Sequence, residues 1–205
     1  MNVLMLNGSP RSHGNTALAL DEMERVFQEE GISCTIRQVG QMDIRGCIAC
    51  ETCGKTGKCT FDDIVNELAK EFEKADGLVV GTPVYFGSAN PTLVALLDRL
   101  FYSTHFDKTM KVGAGISVAR RGGTSATYDE LNKFFALTGM PIATGQYWNG
   151  LHGRAQGEGS QDEEGLQQMR VVARNMAFLI KSIKLGKEAF GLPQTEPRVR
   201  TNFVR

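Results

Sequence analysis

The chain has 205 residues, of which 41% are hydrophobic and 22% are charged. That length and composition can bury one substantial core, so we predict a single domain. Lys plus Arg and Asp plus Glu number 23 each. This balance argues against a partner of one dominant charge, such as nucleic acid or an anionic membrane.

The first residues predict a strand rather than a targeting segment. The apolar run Val3-Leu4-Met5-Leu6 is followed at once by Asn7, which is typical of neither a signal peptide nor a membrane span. Together with the clustered cysteines described below, this start predicts a cytoplasmic protein whose thiols serve metal or redox chemistry.

Short apolar runs alternate with longer segments of helical periodicity, a pattern typical of parallel strands joined by crossover helices. We predict strands at 3–6, 32–36, 78–80, 112–119 and 142–147, and helices at 16–30, 62–74, 91–101, 125–138 and 163–183. This alternation indicates a doubly wound α/β sheet, which binds ligands at the carboxyl ends of its strands. We assign this domain to residues 1–185 and predict that 186–205 form an arm, either loose or packed on a neighbouring subunit.

The loop after the first predicted strand combines glycines, hydroxyl groups and a cation directly before a helix. It reads G-S-P-R-S-H-G-N-T over residues 8–16. Backbone amides at the positive helix end, with Ser9 and Arg11, can surround a phosphate. The lysine of a nucleoside-triphosphate loop and the spacing of a dinucleotide fingerprint are both missing, so a phosphate monoester fits better. The alternative is that Ser12 or Asn15 only caps the helix, which leaves Ser9, Arg11 and both glycines unexplained.

Four cysteines, Cys47, Cys50, Cys53 and Cys59, lie in one short loop with the spacing C-x2-C-x2-C-x5-C. Two disulfides would close very short loops and stabilise little, whereas thiolates converging on one metal centre suit this spacing. Zinc and an iron–sulfur cluster both remain open, although structural zinc usually takes two separated pairs of ligands. Reduced thiols that bind nothing are the third alternative. The fifth cysteine, Cys34, lies in an apolar run and is predicted to be a small buried hydrophobe.

Two further loops end predicted strands. The segment 81–88 reads G-T-P-V-Y-F-G-S, in which aromatic rings could stack on a planar ligand while Gly87 allows close backbone approach. An aromatic pair packed in the core beside a turn is the alternative. The segment 119–124 carries Arg120, Arg121 and two glycines. An arginine pair can equally be a solvated surface, but its place at the same sheet edge favours ligand contact.

Three of these elements together resemble the flavodoxin-like NAD(P)H-dependent FMN reductases and, among them, the iron–sulfur flavoproteins. The elements are G-S-P-R-S-x-G-N-T at 8–16, the cysteine motif at 47–59 and G-T-P-V-Y-F-G-S at 81–88, in the family's order. The resemblance runs from residue 1 to about residue 183. It implies FMN as cofactor and a five-stranded parallel sheet in the order 2-1-3-4-5 with helices on both faces.

The resemblance also implies roles for individual residues. The FMN phosphate would be held by Ser9, Arg11, Ser12, His13, Asn15 and Thr16. The isoalloxazine would be lined by Pro83, Val84, Tyr85, Phe86 and Gly87, and its other edge covered by Ala119, Arg120, Gly122 and Gly123. The four clustered cysteines would ligate a 4Fe-4S cluster close to the flavin of a neighbouring subunit.

FMN accepts two electrons as hydride and can release them singly, and the protein supplies binding and access control. We therefore predict an FMN-dependent oxidoreductase that passes electrons from NAD(P)H or a reduced carrier to a flavin, quinone or other small acceptor. The alternatives are an iron–sulfur flavoprotein that carries electrons with partners such as ferredoxin, and a flavin-free regulator. No side chain is predicted to act as catalytic acid or base. We expect a homodimer or homotetramer that completes the flavin pocket.

Overall fold

The computed structural model describes residues 1–197, 199, 201 and 203. The predicted arm at 186–205 therefore lies partly outside the described residues. The elements in chain order are β1 Asn2–Asn7, α1 Asn15–Glu29, β2 Ser33–Gln38, α2 Thr52–Thr56, α3 Ile64–Lys74, β3 Gly77–Pro83, α4 Pro91–Ser103, β4 Val112–Ala119, α5 Thr124–Leu137, β5 Gly150–His152, a 3-10 turn at Glu158–Gln161 and α6 Glu163–Phe190.

Over the described residues the strands form one five-stranded sheet in the order β2-β1-β3-β4-β5. Every neighbouring pair is parallel, which confirms the predicted doubly wound fold and its strand order. The central strands β3 and β4 are buried at almost every position because helices cover both faces of the sheet. Because both faces are buried, these strands are continuously apolar and do not alternate between apolar and polar residues.

Two apolar cores lie on opposite faces of the sheet. On one face α1 and α6 pack through residues such as Met23, Phe27 and Met176. On the other face α3, α4 and α5 pack around Phe72 and Phe135. These side chains are fully buried, and burial of each contributes about 1.5–3 kcal/mol. The cores fix the helices and thereby fix where the loops between strands and helices emerge.

The predicted fifth strand at 142–147 is wrong. Ile142 makes only an isolated bridge to Gly113, and β5 forms at Gly150–His152. The side chain of Gln168 explains the difference. Its oxygen accepts the amides of Gln146 at 3.0 Å and Tyr147 at 3.2 Å, and its nitrogen donates to the Tyr147 carbonyl at 2.6 Å. A side chain of α6 therefore satisfies backbone groups that a strand would have paired.

Two other differences concern helices. The cysteine loop contains the short helix α2, which the sequence analysis did not predict. Helix α6 continues to Phe190, seven residues beyond its predicted end at Ile183 and past the proposed domain boundary.

Among the described residues, no helix is both long enough and apolar enough to cross a lipid bilayer.

Gly40 lies where the loop after β2 crosses the loop after β1. Its amide donates to the Asn7 carbonyl at 3.1 Å, and a Cβ at residue 40 would lie 2.3 Å from the Gly8 carbonyl oxygen. We expect Gly40→Ala to lower the free energy of unfolding by about 1–3 kcal/mol, because the added methyl must displace backbone. Urea unfolding followed by circular dichroism measures this loss. In the control Gly46→Ala the new Cβ meets nothing within 4 Å, and an equal loss in both variants would contradict the close crossing.

Candidate functional site

The loops that follow β1, β3, β4 and β5 meet at the carboxyl edge of the sheet, as parallel pairing requires. Between them lies a cleft of about 160 Å³ that opens to solvent. We call it the strand-end cleft. It is lined by Ser9, Arg11, Gly14, Asn15, Thr16, Pro83, Val84, Val118, Ala119, Arg120, Gly153 and Arg154.

Hydrogen bonds from its backbone amides hold the loop after β1 in place. The Gly8 amide donates to the Gly81 carbonyl at 2.8 Å, the Ser9 amide to Asn7 Oδ1 at 3.0 Å, and the Arg11 amide to Ser9 Oγ at 3.1 Å. Helix α1 begins at Asn15, and no side chain caps it. The amides of its first turn have no intrahelical acceptor, so they are free to bind an anion in the cleft. Of the two readings of this loop, the structure excludes capping by Ser12 or Asn15.

Asn15 lines the cleft, but its side chain is already engaged. Its nitrogen donates to the Ala155 carbonyl at 2.9 Å, and its oxygen accepts the amides of Gly157 and Gly159, each at 3.1 Å. The side chain therefore positions the loop after β5, rather than offering a donor to a phosphate. Only the backbone amide of Asn15 remains for that role.

That loop carries Arg154, a cleft residue which the sequence analysis missed. The amides of Arg154 and Ala155 donate to the Glu158 carboxylate at 2.7 and 2.9 Å, and these bonds lower the pKa of Glu158. The backbone is thus fixed while the guanidinium stays exposed. The sequence analysis missed Arg154 because it placed the fifth strand too early in the chain.

The other predicted cofactor residues divide into two groups. Ser9, Arg11, Thr16, Pro83, Val84, Ala119 and Arg120 line the strand-end cleft. Outside the lining lie Ser12, His13, Tyr85, Phe86, Gly87, Gly122 and Gly123.

Phe86 lies at the tip of the loop at 81–88, which we call the aromatic loop. Tyr85 and Ser88 exchange backbone hydrogen bonds on either side of it, and Phe86 has a positive φ of 52° and a fully exposed ring. The alternative of a core aromatic pair is therefore excluded. A Cβ at Gly123 would lie 3.0 Å from Gly87 Cα, so the aromatic loop and the loop after β4 touch at these two glycines.

Two polar side chains missed by the sequence analysis hold the aromatic loop. The buried Asn90 donates to the carbonyls of Gly8 at 2.7 Å and Gly40 at 3.2 Å, and so joins three loops. Glu130 accepts the Ser88 hydroxyl at 2.8 Å and the Ala89 amide at 2.7 Å. Because these bonds span distant parts of the chain, no local pattern could reveal them.

A second cavity lies beside the cysteine loop. Its volume is about 20 Å³, and it is lined by Cys47, Ile48, Cys50, Glu51, Cys53, Cys59, Thr60, Phe61, Arg99, Tyr102 and Ser103. We call it the cysteine cavity. All four predicted metal ligands therefore face one space, although they range from exposed to buried. Hydrogen bonds from the Thr52 hydroxyl and amide lower the pKa of the Cys50 thiol, which favours the thiolate that metals bind.

The shape of this loop is set by its backbone. Ala49 and Glu51 have positive φ values of 52° and 57°, and the short helix α2 ends at Gly57, also with positive φ. The amide of Cys59 donates to Asn66 Oδ1 at 3.0 Å, and Asn66 Nδ2 donates back to the Cys59 carbonyl at 3.1 Å. Turns of this kind bring distant thiols to face one cavity.

Within the described part of the chain, no three His, Cys, Asp or Glu side chains are close enough together to hold a single metal ion. A mononuclear zinc site needs its ligands around one atom, whereas each thiolate of a four-iron cluster binds a different iron and the sulfurs stand further apart. Four cysteine thiols that line one cavity are the donor set of the second kind of centre. Cys34 lies elsewhere and is only partly buried against the core, which corrects the prediction of a fully buried residue; the burial it has raises its pKa to about 12.

A parallel sheet of order 2-1-3-4-5 with a cationic cleft at its carboxyl edge defines a flavodoxin-like protein. The family described as NADPH-dependent FMN reductase matches residues 1–152. The chain belongs to the NADPH-dependent FMN reductase family and, by its relatives, to the iron–sulfur flavoprotein branch, as the three motifs predicted.

Those relatives cover nearly the whole chain. An iron–sulfur flavoprotein from Methanocaldococcus jannaschii is 33% identical over 192 residues, spanning 90% of this chain and all of the relative. An iron–sulfur flavoprotein from Methanosarcina thermophila is 27% identical, spanning 92% of this chain and all of the relative.

Similar solved structures share the fold at low identity. RosB, solved with bound 8-demethyl-8-formylriboflavin-5'-phosphate, has a TM-score of 0.74 and 16% identity, covering 100% of this chain and 94% of RosB. An NAD(P)H:quinone oxidoreductase from Methanothermobacter marburgensis has a TM-score of 0.67 and 18% identity, covering 86% of this chain and 96% of that one.

The role assigned to Asn15 predicts a local effect. In Asn15→Ala the amides of Gly157 and Gly159 lose their acceptor, and leaving a buried donor unpaired costs about 1–3 kcal/mol. We expect exchange of these two amides to accelerate at least about fivefold, as measured by hydrogen–deuterium exchange. Ser12→Ala, at an exposed position of the same loop, should leave both amides unchanged. Unaltered exchange in Asn15→Ala would contradict the role.

Proposed function

We propose that the strand-end cleft binds FMN and that the protein is an FMN-dependent oxidoreductase, which passes electrons from NAD(P)H or a reduced carrier to a small acceptor. The observation that carries the proposal is the convergence of Arg11, Arg120 and Arg154 with the uncapped start of α1 in one cleft. Membership of the FMN reductase family supports the choice of flavin, as does the flavin phosphate named in the RosB structure.

The arginines and helix amides would bind the phosphate group. A phosphate monoester carries nearly two negative charges at neutral pH, and it gains most where charged donors and a helix start face it together. Thr16 adds a buried hydroxyl on the first turn of α1. Ser9 positions the loop, because its oxygen already accepts the Arg11 amide.

The flavin ring would lie between the aromatic loop and the loop after β4. Pro83 and Val84 line the cleft from one side, and Val118 and Ala119 from the other. The hydrogen bonds that Asn90 and Glu130 make with the neighbouring loops hold these apolar surfaces in place. A rigid apolar slot of this kind orients a planar ring while leaving its reactive edge accessible.

When bound, FMN supplies the exchange between two-electron and one-electron chemistry. The residues of this chain would bind it, orient it and limit access. Among the described residues that line the cleft there is no carboxylate, imidazole or thiol. We therefore assign no side chain as a general acid or base. Hydrogen bonds to the flavin would come from backbone amides.

A second candidate is an iron–sulfur flavoprotein that exchanges electrons with ferredoxin-like partners. The cysteine cavity favours it, because four thiols facing one space match the donor set of a 4Fe-4S cluster. Cys47, Cys50, Cys53 and Cys59 would hold that cluster, which supplies one-electron chemistry when bound. Both candidates share the flavin and differ in the donor that reduces it.

We also propose that a second copy of the chain completes the flavin pocket, as a homodimer or homotetramer. The support is apolar surface at the carboxyl edge of the sheet. Phe86 is fully exposed and Trp148 is about half exposed, and Trp148 lies within 6.0 Å of the Tyr147 ring by centroid distance. Aromatic side chains of this kind are enriched in protein interfaces.

Removing two cleft cations should separate FMN from riboflavin, which lacks the phosphate. In Arg11→Gln/Arg154→Gln we expect FMN affinity to fall at least about 100-fold, since two charged hydrogen bonds of about 1.5–3 kcal/mol each are lost. Riboflavin affinity should stay at the wild-type value. Quenching of flavin fluorescence measures both. Arg121→Gln removes one positive charge next to the cleft but outside its lining and serves as the control. An equal loss for both flavins would contradict the phosphate assignment.

The electron donor decides between the two candidates. Mixing the anaerobic holoprotein with NADPH or NADH should bleach the flavin absorbance near roughly 450 nm if the protein is a reductase. Bleaching by reduced ferredoxin alone would favour the carrier. A flavin that neither donor reduces would contradict both candidates and leave the binding role only.

A further inference from the structure

One wall of the cysteine cavity is formed by the last turns of α4. Arg99 and Ser103 lie four residues apart on this helix, so their side chains share one face, and both line the cavity. Both are almost completely buried, with 1% and 3% of their surface exposed. A buried arginine and a buried serine beside four thiols require a polar environment.

Arg99 is held in one orientation by a carboxylate. Its two terminal nitrogens donate to the two oxygens of Asp63 at 2.7 and 2.8 Å, and its guanidinium lies 4.9 Å from the centre of the Phe61 ring. This arrangement leaves Nε directed at the sulfur of Cys59, to which it donates at 3.3 Å. The bidentate ion pair with Asp63 therefore orients a charged donor toward one of the cysteine ligands.

Ser103 offers the complementary observation. Its hydroxyl is buried and, among the described residues, has no hydrogen-bond partner. An unpaired buried hydroxyl is unfavourable, unless the cavity next to it receives an acceptor. Sulfur atoms of a metal cluster are acceptors of that kind.

We propose that Arg99 and Ser103 are hydrogen-bond donors to an iron–sulfur cluster in the cysteine cavity, Arg99 through the ligand sulfur of Cys59 and Ser103 to a cluster sulfide. The inference rests on the proposed cluster. Hydrogen bonds to the sulfurs are among the features that set the potential of a cluster. Reduction adds negative charge, which both donors stabilise, so together they raise the reduction potential and slow the loss of iron.

The alternative is that Arg99 only ties α4 to the start of α3 through Asp63, which also caps α3 by accepting the Val65 amide at 3.1 Å. A purely structural ion pair would affect unfolding and leave the potential unchanged. The two roles therefore differ in a measurable quantity. Arg99 and Ser103 are positioning residues in this proposal, since neither binds the metal.

The test begins with the composition of anaerobically purified protein. Iron and acid-labile sulfide in equal amounts, lost in Cys59→Ser and retained in the control Cys34→Ser, whose thiol is partly buried outside the cysteine cavity, establish the cluster. If the wild-type protein binds neither iron nor sulfide under these conditions, both the proposed cluster and this inference are overturned. The flavin assignment is measured separately and does not depend on this result.

The second step is a redox titration of the cluster followed by electron paramagnetic resonance. Ser103→Ala and Arg99→Lys should each favour the oxidised state, up to about tenfold in the equilibrium constant, which is about 59 mV for a one-electron couple. Arg99→Lys keeps the charge, so its effect reports the lost donor to Cys59. Both variants should also lose iron several-fold faster to an added chelator.

Two control variants match these changes. Arg45→Lys removes the other guanidinium over the Phe61 ring while keeping its charge, and Thr127→Val removes another buried hydroxyl that has no partner among the described residues and lies outside the cysteine cavity. Both should keep the wild-type potential and rate of iron loss. In the cluster-free protein Ser103→Ala should melt no lower than wild type, because it deletes only an unpaired hydroxyl. Wild-type potentials in both Ser103→Ala and Arg99→Lys, with full iron content, would overturn the inference while leaving the proposed function intact.

Discussion

Parallel strand pairing is the constraint on which the rest of the structure depends. Because all the strands described run the same way, the loops after β1, β3, β4 and β5 emerge at one edge of the sheet. The strand order reverses between β1 and β3, which opens a crevice there. The loop at 8–16 and the aromatic loop flank this crevice. Their position follows from topology, and only their chemistry follows from local sequence.

Helix α4 connects the two candidate sites. Its N-cap, Asn90, accepts the Thr92 amide at 3.1 Å and also donates to the loops after β1 and β2, which fixes the edge of the strand-end cleft. Further along the same helix, Arg99 and Ser103 line the cysteine cavity. One rigid element therefore sets the geometry of both sites. A substitution that shifts α4 is expected to affect flavin binding and cluster properties together.

The sequence predicted those parts of the protein that depend on local pattern. Continuous apolar runs predicted four strands correctly, and the loop at 8–16 and the cysteine spacing indicated the two candidate sites. It missed what depends on distant side chains. Gln168 of α6 occupies the backbone at 146–147 and so moves β5 to 150–152, and Asn15 engages a loop about 140 residues away. Arg154 was missed for the same reason. The individual flavin contacts, the assembly state and the cytoplasmic location stay predictions.

The central claim is that a phosphate dianion is held by the cations and helix amides of the strand-end cleft. Phosphorus nuclear magnetic resonance of the FMN-loaded protein tests it most directly. Free FMN phosphate changes charge near a pKa of about 6. The account predicts that the bound phosphorus resonance stays at the dianion position when the pH is lowered from 8 to 5. A bound resonance that follows the titration of free FMN would contradict it.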